Sequence, residues 1–67
     1  MFWFFERGGE RLQCEIRPSV NAAGFELEIT GPDGEKQLEY ADDANALAIR
    51  WHELEVDLKV NGWTPKG

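Results

Sequence analysis

Met1-Phe2-Trp3-Phe4-Phe5-Glu6-Arg7-Gly8-Gly9-Glu10-Arg11-Leu12-Gln13-Cys14-Glu15-Ile16 consists of two runs of strand-forming residues divided by a glycine pair. A two-residue loop between antiparallel strands needs positive φ angles, which glycine supplies without a steric penalty. With Gly8 and Gly9 as the loop, Arg7 faces Glu10, Glu6 faces Arg11, Phe5 faces Leu12, Trp3 faces Cys14 and Met1 faces Ile16. The side shared by Trp3, Phe5, Leu12, Cys14 and Ile16 is apolar throughout, so the spacing predicts a hairpin with one buried face. Phe2 and Phe4 then fall on the other face, opposite Glu15 and Gln13, where polar side chains are the rule.

A second reversal is written in Gly31-Pro32-Asp33-Gly34, where proline presets φ and Asp-Gly suits a tight turn. Taken as a four-residue loop closed by Thr30 and Glu35, it sets Leu27 opposite Leu38 and Phe25 opposite Tyr40 on the inward side. Glu28 meets Gln37 and Glu26 meets Glu39 on the outward side. Two features sit badly in that register: Lys36 points inward, and Glu26 faces a like charge. Pro18 to Gly24, with Ser, Asn and Ala between the proline and the glycine, reads as a looser connection.

Beyond Tyr40 the apolar period lengthens from two to 3.6. Leu47, Trp51, Leu54 and Leu58 recur on one helical face, widened by Ala44 and Ala48. Asp42 or Asp43 can cap the start, and Gly62 with Trp63 fits a Schellman ending in which Trp63 packs on Leu58. The expectation is a helix over about residues 42–61. A competing pattern, Leu54, Val56, Leu58 and Val60 alternating with charged residues, suits a strand after a shorter helix. The absence of any turn residue between the two elements favours the continuous helix, which places Ile49, Val56 and Val60 opposite its apolar stripe. The fold class read from the sequence is therefore α+β: a four-stranded antiparallel meander followed by one C-terminal amphipathic helix. It forms a single domain over residues 1–63 with residues 64–67 as a short tail.

With 67 residues there is room for one core, and a core this small supplies roughly 3–5 kcal/mol. Cys14 is the single cysteine and His52 the single histidine, so neither an intrachain disulfide nor a structural zinc site is available to reinforce it. Self-association is the remaining common route. A formal charge of −6 repels a phosphate backbone, which argues against nucleic acid as a partner. The apolar run Met1–Phe5 lacks a basic start and is too short for a signal-peptide core or a bilayer span, so the expected location is the cytoplasm, with no membrane contact.

No catalytic constellation is legible. His52 has no nucleophile or metal partner in any motif and falls beyond the rim of the apolar stripe; Cys14 lies on the inward side of its strand, where a thiol behaves as a small hydrophobe. Glu15, Glu26, Glu28 and Glu39 share a sheet face in this reading, but alternating glutamates describe a solvated face, and no loop gathers their oxygens around a cation. The glycine-rich stretches are turns that do not enter helices, so no phosphate cradle is expected. The expectations are no enzyme, no cofactor and no metal.

The first strand stands out. Phe2 and Phe4 face outward, and between Met1 and Phe5 no charge guards what a simple meander leaves as an edge. The order ββββα resembles that of the small single-stranded-DNA-binding transcriptional coactivators, which are dimers; the resemblance covers topology alone and implies a shape and a dimer. Glutamates replace that family's basic strands here, so it does not imply DNA binding. The function expected from the sequence is a protein-interaction or homo-oligomerising module, a homodimer or the binder of a protein partner, with Phe2, Phe4, Ile49, Val56 and Val60 as interface residues and an acidic sheet face available to a basic partner. The alternatives are single-stranded nucleic-acid binding through Arg11, Arg17, Trp51 and Trp63, and a small-ligand-binding accessory role.

Overall fold

In the computed structural model, which describes residues 1–20 and 23–66, the chain runs β1 (Phe2–Arg7), β2 (Glu10–Pro18), β3 (Phe25–Thr30), β4 (Lys36–Ala41), α1 (Ala44–Val60) and β5 (Thr64–Lys66). The strands form one sheet in the order β4-β3-β2-β1-β5, every neighbouring pair antiparallel. The α+β architecture and the C-terminal helix agree with the sequence; the strand count does not. Thr64–Lys66, read above as a tail, is a fifth strand that pairs with β1 from Phe4 to Glu6.

The first hairpin has the register that the glycine pair dictates, from Arg7 opposite Glu10 to Phe2 opposite Glu15. Gly8 and Gly9 both have positive φ, 53° and 84°, as a type I′ turn requires. The Ile16 N–H donates to the Met1 carbonyl at 2.9 Å, extending the pairing by one residue.

The second hairpin is shifted by one residue from the expected register. Gly34 N–H donates to the Gly31 carbonyl at 3.0 Å, and Gly31 N–H to the Glu35 carbonyl at 2.8 Å. The loop is thus three residues, Pro32–Gly34, with Gly34 at φ 86° as the left-handed residue that completes a type I turn with a bulge. Thr30 pairs with Lys36, Glu28 with Leu38, Leu27 with Glu39 and Glu26 with Tyr40. A one-residue slip moves every side chain of the later strand to the other face. Leu38 and Tyr40 therefore leave the core side, Gln37, Glu39 and Ala41 enter it, and both awkward features of the expected register disappear. Lys36 now faces outward, 3.8 Å from Glu28.

Of the expected connection Pro18 to Gly24, residues 21 and 22 lie outside the described residues; Ser19 N–H donates to the Gly24 carbonyl at 3.0 Å.

The helix starts and stops where its end signals stand. Asp43 is the N-cap, its carboxylate accepting from Ala46 N–H at 2.8 Å. At the other end Trp63 N–H donates to the Leu58 carbonyl at 2.9 Å and Gly62 N–H to the Lys59 carbonyl at 3.1 Å, the pair of bonds that defines a Schellman ending. Residues 54–60 belong to this helix, and the competing strand reading of them is corrected. Leu54 and Leu58 are buried against Phe5, Leu12, Cys14, Leu27, Ile29 and Trp63, with Trp3, Ile16 and Trp51 packed around them. The Trp51 ring packs in tilted contact with Trp3 and Phe5, at centroid distances of 4.6 and 6.3 Å.

Phe5 is 1% exposed and touches both layers, so Phe5→Ala should cost roughly 3–5 kcal/mol, an amount comparable with the whole stability of a chain this size. Circular dichroism of that variant at 25 °C should show a largely unfolded chain. A native spectrum with an unchanged melting midpoint would contradict the core described here.

Candidate functional site

The helix covers one face of the sheet and leaves the other open. Cross-strand pairing orders the open face into rows: Leu38, Glu28, Glu15 and Phe2 form one, and Lys36, Thr30, Gln13, Phe4 and Lys66 the next. Tyr40, Glu26 and Arg17 flank the first row; Arg11, Glu6 and Thr64 flank the second. Phe2 is 55% exposed, Leu38 45% and Tyr40 69%, while Phe4 is half-buried beneath the Arg11 guanidinium, 5.3 Å from its ring. Apolar side chains thus stand on both flanks of the open face.

Between the flanks lies a network built on Arg17. Its guanidinium donates to Glu26 and Glu15 at 2.9 Å each and to Glu28 at 3.2 Å. The hydrogen bond to Glu28, then that to Glu26, holds the Arg17 guanidinium above its ordinary proton affinity. Arg17 therefore fills the point between the three carboxylates that a metal ion would have to occupy. The fourth carboxylate expected there, Glu39, lies on the helix side because of the shifted register. Among the described residues, no group of three or more histidine, cysteine or acidic side chains is placed to hold a metal.

The open face is electrically balanced. Glu15, Glu26 and Glu28 are matched in part by Arg17 and Lys36, and a second cluster sets Glu6 against Arg11 at 3.4 Å and Lys66 at 4.0 Å. Four carboxylates meet four cations, so the side-chain charge of −6 resides wholly on the helix, the loops and the covered side. This corrects the expectation of an acidic sheet face.

Glu39 supports the helix. Arg50 donates to its two oxygens at 2.6 and 2.9 Å, a bidentate pair that ties α1 to β4 where no large apolar residue of β4 does so. The hydrogen bond from Arg50 pulls the Glu39 carboxyl below its ordinary value of 4.5 and raises the Arg50 guanidinium in turn. At the far end of the helix, Arg7 lies over Trp63 at 4.4 Å and donates to the Asn61 carbonyl at 3.1 Å, a cation placed at the negative end of the helix.

The other sequence-derived residues are scattered. Ile49, Val56 and Val60 are exposed on the solvent side of the helix, a surface separate from that of Phe2 and Phe4. Arg11 and Arg17 stand on the open face and are engaged by glutamates, whereas Trp51 and Trp63 lie on the helix side, Trp63 being buried. The four therefore form no common platform for stacked bases. His52 is exposed. Cys14 is fully buried, and burial pushes its thiol up to about 11.

Sequence reasoning missed two features, both products of the three-residue loop. One is the Leu38/Tyr40 flank. The other is an open groove of about 630 Å³ beside the hairpin ends, floored by Leu12, Ile29, Leu54, Leu58 and Trp63 and rimmed by Arg7, Glu10, Asp33 and Glu35. It exists where Gln37, and not Leu38, faces the helix. The signal for both was Pro32-Asp33-Gly34, which matches a type I turn closed by a left-handed glycine.

Comparison with protein-family models, with curated proteins and with solved structures gave no match. Among the described residues, no helix is long and apolar enough to cross a membrane.

Two outcomes check this description. A double-mutant cycle of Glu39→Gln and Arg50→Gln should return a coupling of about 0.5–1 kcal/mol, the upper part of the range for partly exposed pairs. Because the folded-state pKa of Glu39 is depressed, that coupling should be complete above 4.5 and vanish as pH falls through the lower folded value; a coupling that grows on acidification would refute the pairing. Cys14 should react with a thiol reagent at pH 8 only as fast as the chain opens, and fast labelling of the native protein would refute its burial.

Proposed function

We propose that this chain is a small protein-interaction module whose working surface is the open face of the sheet. The supporting observation is the pair of apolar flanks, exposed Phe2 with half-buried Phe4 and exposed Leu38 with Tyr40, on a face that no element among the described residues covers. An antiparallel sheet with one solvated face normally carries polar side chains there. In a chain with so small a core, apolar side chains placed where they add nothing to the fold call for another purpose. The flanks come from strands at different depths of the sheet, β1 and β4, and are separated by the Arg17 network, so a complementary surface would meet a patterned face, not one greasy spot.

A second reading, small-ligand binding, has one observation in its favour, the groove floored by Leu54, Leu58 and Trp63. Titration with small apolar compounds, followed by NMR shifts of the Ile29, Leu54 and Leu58 methyl groups, tests it; unchanged shifts at millimolar ligand would dismiss it.

The interaction reading holds that the flanking side chains do not serve the fold. Phe2→Thr/Leu38→Thr places strand-favouring β-branched residues in both strands and should leave unfolding free energy within about 1 kcal/mol of the natural chain. A loss of several kcal/mol in urea denaturation would show that these side chains are structural, and the interaction reading would fail.

A further inference from the structure

We infer that the occupant of the open face is a second copy of this chain, packed face to face as an isologous dimer; the inference rests on the interaction reading above.

Charge distribution is the first ground. Each copy carries −6, so two copies repel wherever their helix sides approach. The open face is the part of the molecule where carboxylates and cations cancel, and it is where like molecules meet without net repulsion. A basic partner would instead be drawn to the helix side, where the uncompensated carboxylates lie.

The rows of the face supply the second ground, because they fix an orientation. A two-fold axis lying in the interface along the strands sets Glu28 over the partner copy's Glu15, opposing like charges at the centre. An axis in the interface perpendicular to the strands, between the two central rows, brings the row Leu38, Glu28, Glu15, Phe2 over the row Lys36, Thr30, Gln13, Phe4 of the other copy. Glu28 then meets a Thr30 hydroxyl, Glu15 meets a Gln13 amide, and Phe2 stacks on Phe4, each contact occurring twice. The arrangement adds donors to two carboxylates that Arg17 of the same chain already engages and joins Phe2 to Phe4. The same axis sets Leu38 over the partner copy's Lys36 and Arg17 over its Arg11, each of these arginines being held by glutamates of its own chain.

Area sets the strength. Four strands of about six residues and the three-residue β5, spaced ~4.8 Å apart with a rise of ~3.3 Å per residue, make roughly 430 Å² of plane per copy. Two such faces bury roughly 860 Å² together, below the ~1,200 Å² of standard specific interfaces and in the range of weak encounters, and the charged centre adds a desolvation cost. The dimer is therefore reversible, with a dissociation constant of about 10–100 μM, weak for a homodimer.

Sedimentation equilibrium from about 5 μM to 1 mM tests the inference with the full chain, at concentrations bracketing that range. Average mass should rise from monomer toward dimer and stop there. Gln13→Glu, which opposes Glu15 with a like charge, should weaken association about tenfold or more. Lys59→Gln changes the net charge by the same amount on the helix side and should change it less than threefold. In a mixed sample of labelled and unlabelled copies, isotope-filtered NOEs should connect Phe2 of one copy with Phe4 of the other. A chain that stays monomeric to 1 mM, or equal effects of Gln13→Glu and Lys59→Gln, would overturn the second copy as occupant. Filtered NOEs joining Phe2 to Leu38 would overturn the orientation. None of these outcomes decides the interaction reading itself, which stands or falls on the stability of Phe2→Thr/Leu38→Thr.

Discussion

The length of two loops governs where every side chain of this sheet ends up. Side chains alternate across a pleated strand, so the parity of a hairpin loop determines which residues of the second strand share a face with those of the first. A two-residue loop at Gly8-Gly9 puts Leu12, Cys14 and Ile16 on the side of Trp3 and Phe5. A three-residue loop at Pro32–Gly34 puts Gln37, Glu39 and Ala41 on the side of Leu27 and Ile29. The sheet's share of the core is thus carried by β1, β2 and β3, while β4 turns its large apolar residues away from the helix. What holds β4 to the helix is the ladder with β3 and the Glu39–Arg50 pair.

The same parity sorts charge. Outward positions on β1, β2, β3 and β5 hold Glu6, Arg11, Glu15, Arg17, Glu26, Glu28 and Lys66, and the register of the second hairpin adds Lys36. With Lys36 inward, as a four-residue loop would have it, the open face would be one cation short and a lysine would be buried without a partner at a cost of several kcal/mol. The observed loop removes both problems. It also gives the molecule two unlike sides, one neutral with apolar flanks and one strongly acidic.

Much of this was legible in the sequence, wherever a local device is self-contained. The glycine pair, Asp43, and Gly62 with Trp63 each specify their hydrogen bonds with neighbours only a few residues away, and the structure has those bonds where the residues imply them. From the first of them, the outward placement of Phe2 and Phe4 followed directly. Two things were not legible in the same way. Thr64-Pro65-Lys66 is too short for any periodicity and contains a proline, so its strand character comes from the β1 edge it reaches and not from its own propensity. The second hairpin offered Gly31-Pro32-Asp33-Gly34, which supports either a three- or a four-residue loop, and the choice displaced Leu38 and Tyr40 by a whole face. The inward Lys36 and the Glu26/Glu39 clash were the physical symptoms of the wrong choice, since a register that strands two charges is disfavoured against one that pairs them.

The fifth strand also limits how the molecule can associate. β1 would otherwise present an uncharged edge from Met1 to Phe5, open to strand addition by another chain. β5 occupies that edge over Phe4–Glu6, and the new edge carries Pro65, which has no N–H to donate, and Lys66, whose charge resists burial. At the opposite edge β4 offers Lys36 and Glu39. On the β1 side, β5 leaves Met1–Trp3 unpaired, a stretch of three residues, whereas the open face offers Phe2, Phe4, Leu38 and Tyr40 for contact. Contact through a single face between identical molecules consumes that face in each of them, so association through it closes at two.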